Sequence, residues 1–153
     1  MTPQNNRIAA VAAIATAIAI PAEGLRQWAY NDPPGILTVC YGHTGADVVA
    51  KKLYSLDECK ELLNADMLEA VEQVERCHPN LPQNVHAAFA DAVYNLGPVV
   101  ACNSTAARYL AAGEFDAACR ELPRWNKAKV AGSLIPLPGL TSRRNKEMAL
   151  CLA

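Results

Sequence analysis

Between Ile8 and Ala22 the chain carries no charged side chain, and the first one after it is a carboxylate, Glu23. A tract of this kind has few fates: it packs into a core, sits in lipid, or is removed after export. As a helix, its fifteen residues span about 22 Å, short of the roughly 30 Å hydrocarbon core. It is also weakly apolar. Seven of the thirteen residues from Ile8 to Ile20 are alanine. The five Ile and Val residues contribute about −2 to −3 kcal/mol to insertion, enough for entry into a bilayer and little for a permanent anchor. Three readings stay open at this level. Ala17-Ile18-Ala19 fits a signal-peptide cleavage site, after a weakly positive start at Arg7. Ile8, Val11, Ala15 and Ile18 recur near helical spacing, as in a helix packed in a soluble core. The third reading is both in turn: a weak membrane anchor first, a core-packed helix later.

The chain has 153 residues, enough for one domain with a substantial core. A net charge of −1 argues against nucleic acid as a partner, because such binders carry a basic patch. Three histidines, His43, His78 and His86, show no ligand spacing to the cysteines, and no two cysteines form a C-x-x-C pair, so neither a metal site nor a cofactor is expected. There are six cysteines: Cys40, Cys59, Cys77, Cys102, Cys119 and Cys151. An even count beside an export-like N-terminus points to disulfides in an oxidising compartment; six buried free thiols are the alternative. The expected pair is Cys102 with Cys119, both on a predicted helix–turn–helix. Cys40, Cys59, Cys77 and Cys151 have no assigned partner.

The rest of the chain divides into two parts. Trp28-Ala29-Tyr30 and Ile36 to Tyr41 are strand-like, and Asn31 to Gly35 between them is a turn cluster. This predicts a small β-meander over about 25–54. From Ser55 onward the pattern is helical. Ser55-Leu56-Asp57-Glu58 reads as a capping box opening a long helix that ends near Cys77-His78-Pro79. Further helices are expected over Gln83–Leu96, from Ser104 to Gly113, over Phe115–Leu122 and over Thr141–Leu152. Val130 to Leu140 reads as a loop, with two prolines and two glycines. The class is therefore α+β, a small β lobe joined by a long helix to a helical lobe of about 55–153. A cleft between the lobes is the natural ligand site.

At the seam the spacing is Glu-x8-Asp-x5-Thr, on Glu23, Asp32 and Thr38. Two carboxylates and a hydroxyl at a cleft suit glycoside hydrolysis, in which one carboxyl donates a proton to the leaving oxygen and the other stays ionised. Glu23 is the better proton donor, because the flanking apolar residues should desolvate it. Asp32, in an open turn, is the better anion, and Thr38 could hold water. A plainer reading also fits each: Glu23 paired with Arg26, Asp32 as a turn residue before Pro33, Thr38 as an ordinary strand residue.

The segments E-G-L-R-x-x-A-Y-x-D and T-V-C-Y-G-H-T-G resemble the active-site region of the phage lysozymes, the muramidase endolysins of tailed phages. Ala92 to Gly97, Cys102 to Thr105, Gly113 to Cys119 and Gly139 to Arg144 resemble the helical-lobe signatures of the same family, so the likeness covers nearly all of residues 23–152. The resemblance implies a lysozyme-like fold and hydrolysis of the β-1,4 bond between N-acetylmuramic acid and N-acetylglucosamine in peptidoglycan strands. It implies Glu23 as general acid, Asp32 as general base or electrostatic stabiliser, and Thr38 as the group that positions water in an inverting reaction. His43 would support the β lobe; Tyr41 and Asn95 would line the sugar cleft or pack in the core. Leu134 to Pro138 looks like an enlarged form of the loop before G-L-x-x-R-R.

A subset of these endolysins is similar to this chain in carrying a signal-arrest-release segment. That likeness implies a boundary at residue 22, with 1–22 as the segment and 23–153 as the catalytic domain. It implies export by the host Sec machinery, an inactive form held in the host inner membrane by residues 8–22, and release into the periplasm when a holin or pinholin depolarises the membrane. A monomer is expected. The rival readings are a lytic transglycosylase of similar fold and a non-catalytic wall-binding domain.

Overall fold

One continuous helix, α1 (Pro3–Glu23), carries the whole uncharged tract and ends on the glutamate. It is capped by Thr2, whose side chain accepts a hydrogen bond from the Asn5 N–H at 3.2 Å, with Pro3 at the first helical position. Its apolar part is the expected one. The polar residues Gln4 to Arg7 extend it by more than a turn on the N-terminal side. It stops at Gly24, whose φ of +69° suits glycine at a helix end. The computed structural model describes residues 2–32 and 35–153; Met1, Pro33 and Pro34 lie outside the described residues.

The expected meander follows as strands β1 (Arg26–Asn31), β2 (Leu37–Cys40) and β3 (His43–Thr44), antiparallel and in that order. Tyr30 faces Thr38 across the first pair, and Thr38 faces Thr44 across the second. The turn cluster between β1 and β2 includes Pro33 and Pro34, so only its flanks are described. A long helix, α2 (Leu56–Cys77), then leads to the helical lobe. It opens with the predicted capping box: the Glu58 N–H donates to Ser55 Oγ at 3.0 Å, and the Ser55 N–H donates to Glu58 Oε1 at 3.2 Å.

The helical lobe is built around α3 (Gln83–Leu96), in which every residue from Val85 to Val93 is buried. Its other members are α4 (Val99–Cys102), α5 (Thr105–Ala111), α6 (Phe115–Glu121), a 3₁₀ turn at Leu122–Arg124 and α7 (Pro138–Leu152). Helices α1, α2 and α7 all pack on α3, so α3 has little solvent-facing surface. Phe89, Met67, Val71 and Leu122 are fully buried at the centre of this packing. On α1, Val11, Ala12, Ala15 and Ala19 join the same core, while Ile8 and Ile14 pack at its edge. Alanines at the seam let α1 lie close to its neighbours. The N-terminal end of α1 is tied by polar groups: Arg7 forms an ion pair with Glu75, and Gln4 Nε2 donates to Glu75 Oε1 at 3.1 Å. Arg7 also approaches Nδ1 of buried His86 at 3.4 Å, and His86 Nε2 donates to the Val71 carbonyl at 2.9 Å. Burial pushes the His86 pKa down, which keeps the ring neutral beside Arg7.

Two sequence expectations are corrected here. Residues 130–140 are not a loop: β4 (Lys127–Val130) and β5 (Ser133–Pro136) form a hairpin, and α7 starts at Pro138 rather than Thr141. The turn is Ala131-Gly132, with φ +51° and +84°, the left-handed pair that a two-residue hairpin needs. It is illegible in sequence because alanine rarely takes that conformation and because β5 is exposed along its whole length, without alternation. The expected Cys102–Cys119 pair is also absent. The disulfides are Cys40–Cys59, Cys77–Cys102 and Cys119–Cys151, and no cysteine is free. The reason is packing. Short α4 carries Cys102 back to the end of α2, and α6 turns Cys119 toward α7.

The β lobe is also tied to α2 by His43. Its Nδ1 lies 2.6 Å from Asp66 Oδ2, and its Nε2 lies 3.0 Å from both oxygens of Asp47. Burial works to lower the His43 pKa, but hydrogen bonds to Asp66 and Asp47 outweigh it and raise the value. Asp66 is itself raised, because its own desolvation exceeds the help it receives from His43. Both ring nitrogens of His43 face carboxylates, an arrangement that favours the charged imidazolium. A histidine held above its ordinary value of 6.5 stabilises the fold fully below that pH and loses its contribution as pH rises through the folded value. The stability deficit of His43→Gln, measured by thermal melts across pH, is therefore expected to be largest below about pH 6.5 and to shrink in alkaline buffer. Replacing Cys119 and Cys151 by alanine opens a link spanning 32 residues. The expected loss is about 3 to 4 kcal/mol in denaturant unfolding, and non-reducing peptide maps of the unaltered protein should recover the three pairs named above.

Candidate active site

Glu23 reaches the interior because α1 is docked along α3, which brings its last turn to the mouth of the lobe interface. The Glu23 side chain is about one-fifth exposed. One oxygen, Oε1, accepts a hydrogen bond from Arg143 Nη1 at 2.5 Å. The other, Oε2, lies against Gly42 in the β2–β3 turn. A Cβ at that position would sit 2.9 Å from Oε2, and the φ of Gly42 is +81°. The turn favours glycine through its positive φ, and a Cβ there would push the Glu23 carboxyl from its place. From sequence, apolar neighbours are expected around Glu23, or else an ion pair with Arg26. The structure gives it a buried cation from α7 instead.

Arg143 is 5 % exposed, and its guanidinium is shared. While Nη1 faces Glu23, Nε donates to Asp91 Oδ2 at 2.9 Å and Nη2 to Asp91 Oδ1 at 2.8 Å. Asp91 is fully buried on α3. Burial works to lower the Arg143 pKa, but the Asp91 hydrogen bonds and the charges of Asp91 and Glu23 raise it, so the guanidinium is permanently charged. Beside it, Arg144 grips Glu147 with two hydrogen bonds of 2.6 and 2.8 Å, both residues having no exposure. Burial and the neighbouring Asp91 carboxyl push the Glu147 pKa up, with Arg144 opposing.

Glu23, Gly42, Thr44, Asp66, Tyr94 and Asn95 contribute to the wall of a cleft of about 410 Å³ between the lobes. Asn95, at the end of α3, contributes to this wall, and its Oδ1 is buried without a hydrogen-bond partner among the described residues. The Tyr94 hydroxyl donates to the Tyr41 carbonyl, and burial raises the Tyr94 pKa, so it stays protonated. Tyr41 itself is buried in the core, whereas Asn95 contributes to the cleft wall. A larger hollow of about 700 Å³ lies between the end of β5 and the outer side of α7, but it contains no carboxylate.

The structure brings Glu23 to the cleft wall but does not place Asp32 or Thr38 among the residues lining it. Asp32 lies at the end of β1. Its Oδ1 accepts from the Ile36 N–H at 2.8 Å, and its own N–H donates to the Ile36 carbonyl at 3.0 Å. Thr38 is buried on β2 and donates its hydroxyl to that same carbonyl at 3.0 Å. Ile36 thereby ties the two residues to one turn. Sequence reasoning missed Asp66, Asp91 and the role of Arg143. A signal existed for Asp91, the single charged residue in the apolar run of α3.

Residues 21–147 match the family model described as phage lysozyme. The SAR-endolysin of Bacteriophage PS119 is 38 % identical over 131 residues, 85 % of this chain and 76 % of that protein. Among solved structures, the muramidase domain of SpmX from Asticaccaulis excentricus superposes with a TM-score of 0.82 at 29 % identity, covering 92 % of this chain and 95 % of that one. The endolysin of Escherichia coli O157:H7 phage FAHEc1 gives 0.78 at 28 % identity, covering 94 % and 90 %. The fold is lysozyme-like α+β, and the chain belongs to the phage lysozyme family.

Proposed function

We infer that this protein is a lysozyme-type endolysin that hydrolyses the β-1,4 bond between N-acetylmuramic acid and N-acetylglucosamine, and that its N-terminal helix controls when it does so. One observation carries the reading: the only carboxylate on the apolar helix is its last residue, and that residue stands on the wall of the cleft. Glu23 acts as general acid. Asp32 serves as general base or stabiliser, and Thr38 positions water; both hydrogen-bond to the backbone of Ile36, which holds them relative to each other. Asn95 contributes to the wall that would face the sugar. His43 braces the β lobe against α2 through Asp66.

Residues 1–22 serve as a signal-arrest-release segment ahead of a catalytic domain at 23–153. The helix is long and apolar enough to enter a membrane. Export runs through the host Sec machinery, and residues 8–22 rest in the inner membrane until a holin or pinholin depolarises it. In that state Glu23 is held at the membrane face, away from Arg143 and Gly42. Release lets α1 dock on α3 and brings the carboxyl to the cleft, in the periplasm, where the three disulfides form.

Glu23→Gln keeps an acceptor for Arg143 but has no proton to give. It is expected to lower release of reducing ends from purified peptidoglycan by at least about 100-fold, with a cooperative melt retained; near-normal turnover would remove Glu23 from the mechanism. Mass spectrometry of the products separates hydrolysis, which leaves a reducing sugar, from a 1,6-anhydro product. Ala13 and Ala17 are exposed on docked α1. Leucine at both adds roughly half a kcal/mol each to membrane preference without disturbing the docked seam. The double variant is expected to stay in the membrane fraction after depolarisation while its detergent-released form keeps normal activity; unchanged timing of lysis would refute release control.

A further inference from the structure

A general acid next to a buried arginine presents a chemical problem. A lone guanidinium at 2.5 Å favours the carboxylate over the acid and opposes the proton that the reaction needs. The structure contains a second carboxylate on that same guanidinium. Asp91 occupies the Nε–Nη2 edge of Arg143 through two hydrogen bonds, leaving Nη1 for Glu23. Asp91 has no exposure and Arg143 very little, so solvent screens this pair weakly. We propose that Asp91 is a positioning residue for catalysis: it fixes the plane of the Arg143 guanidinium and offsets its charge, so that Glu23 is oriented by Arg143 yet can still hold a proton.

The proposal rests on Glu23 being the proton donor. The other charged or titratable groups around the pair are Tyr94 on α3, Asp66 and Glu69 on α2 at the cleft, and Arg144 with Glu147 on α7. Arg144 holds Glu147, the Glu147 carboxyl also hydrogen-bonds to Asp91 on the side away from Glu23, and Tyr94 remains neutral, which leaves Asp91 as the carboxylate directly bonded to Arg143 besides Glu23. Asp91 and Arg143 also belong to α3 and α7, so the pair does not depend on α1 for its own hydrogen bonds. It forms a receptor ready for Glu23 when α1 docks.

The test is the pH dependence of kcat/KM on soluble peptidoglycan fragments at fixed ionic strength. Asp91→Asn keeps one acceptor for Arg143 and removes the charge. Its alkaline limb is expected to move toward acid by about one pH unit, with activity on the acid side retained within several-fold. An Asp91→Asn profile that is lower at every pH but unmoved would assign Asp91 to stability alone and overturn the proposal. The double variant Asp91→Asn/Arg143→Gln removes both charges and leaves a neutral amide pair, which serves if the single variant does not fold. Its limb is expected to return to the wild-type position, and a limb displaced by a unit in either direction would overturn the charge argument. Glu23→Gln assayed alongside separates the two levels: retained activity there refutes the proton-donor role and the proposal together, whereas an inactive Glu23→Gln with an unmoved Asp91→Asn profile refutes only the part given to Asp91.

Discussion

The forked contact of Arg143 joins three helices that are remote in sequence. From α7 its guanidinium reaches α3 through Asp91 and the end of α1 through Glu23. An arginine this buried is stable only if its donors are satisfied, because an unpaired buried charge costs several kcal/mol. The planar guanidinium satisfies that demand from two sides at once, which a lysine ammonium could not do with the same fixed geometry. The position of Glu23 follows from this contact and from the absence of a side chain at Gly42, which leaves the carboxyl its place beside the β2–β3 turn.

The same contact gives a physical meaning to the composition of α1. The helix is tied at each end by an ion pair, Arg7 with Glu75 and Glu23 with Arg143, and between them its buried residues are Val11 and three alanines. Small side chains allow close packing on α3 without large apolar area. That keeps the helix weakly hydrophobic, so under the proposed release from lipid its polar end contacts would weigh in the balance. A helix of leucines would gain far more from lipid. On that proposal moderate apolarity and ionic ends act together, and the ion pair nearest the cleft is the one made by the carboxyl.

The sequence made much of this legible. The capping box at Ser55, the apolar period of α2 and α3 and the meander before them all reflect local rules of propensity and patterning, and each appears in the structure. Residues that depend on distant partners were harder to read. Asp66 looks like one more polar residue on an amphipathic helix until His43 is placed against it. The disulfides failed for the same reason: α4 and α6 are short, and nothing local states which neighbour each cysteine meets. The hairpin at 127–136 was hidden because its strands are largely exposed and so lack a buried face to impose alternation.

What the sequence determined by itself is the uncharged tract of residues 8–22 and the placement of Glu23 at its end. These are fixed by covalent spacing and side-chain chemistry, which no folding event alters. Only the tertiary structure decided that Glu23 sits beside a cation rather than in an apolar pocket, because that cation comes from 120 residues away. Likewise only packing put Asn95 at the cleft wall and made Asp91 the partner of Arg143, since these depend on which helix faces meet across α3.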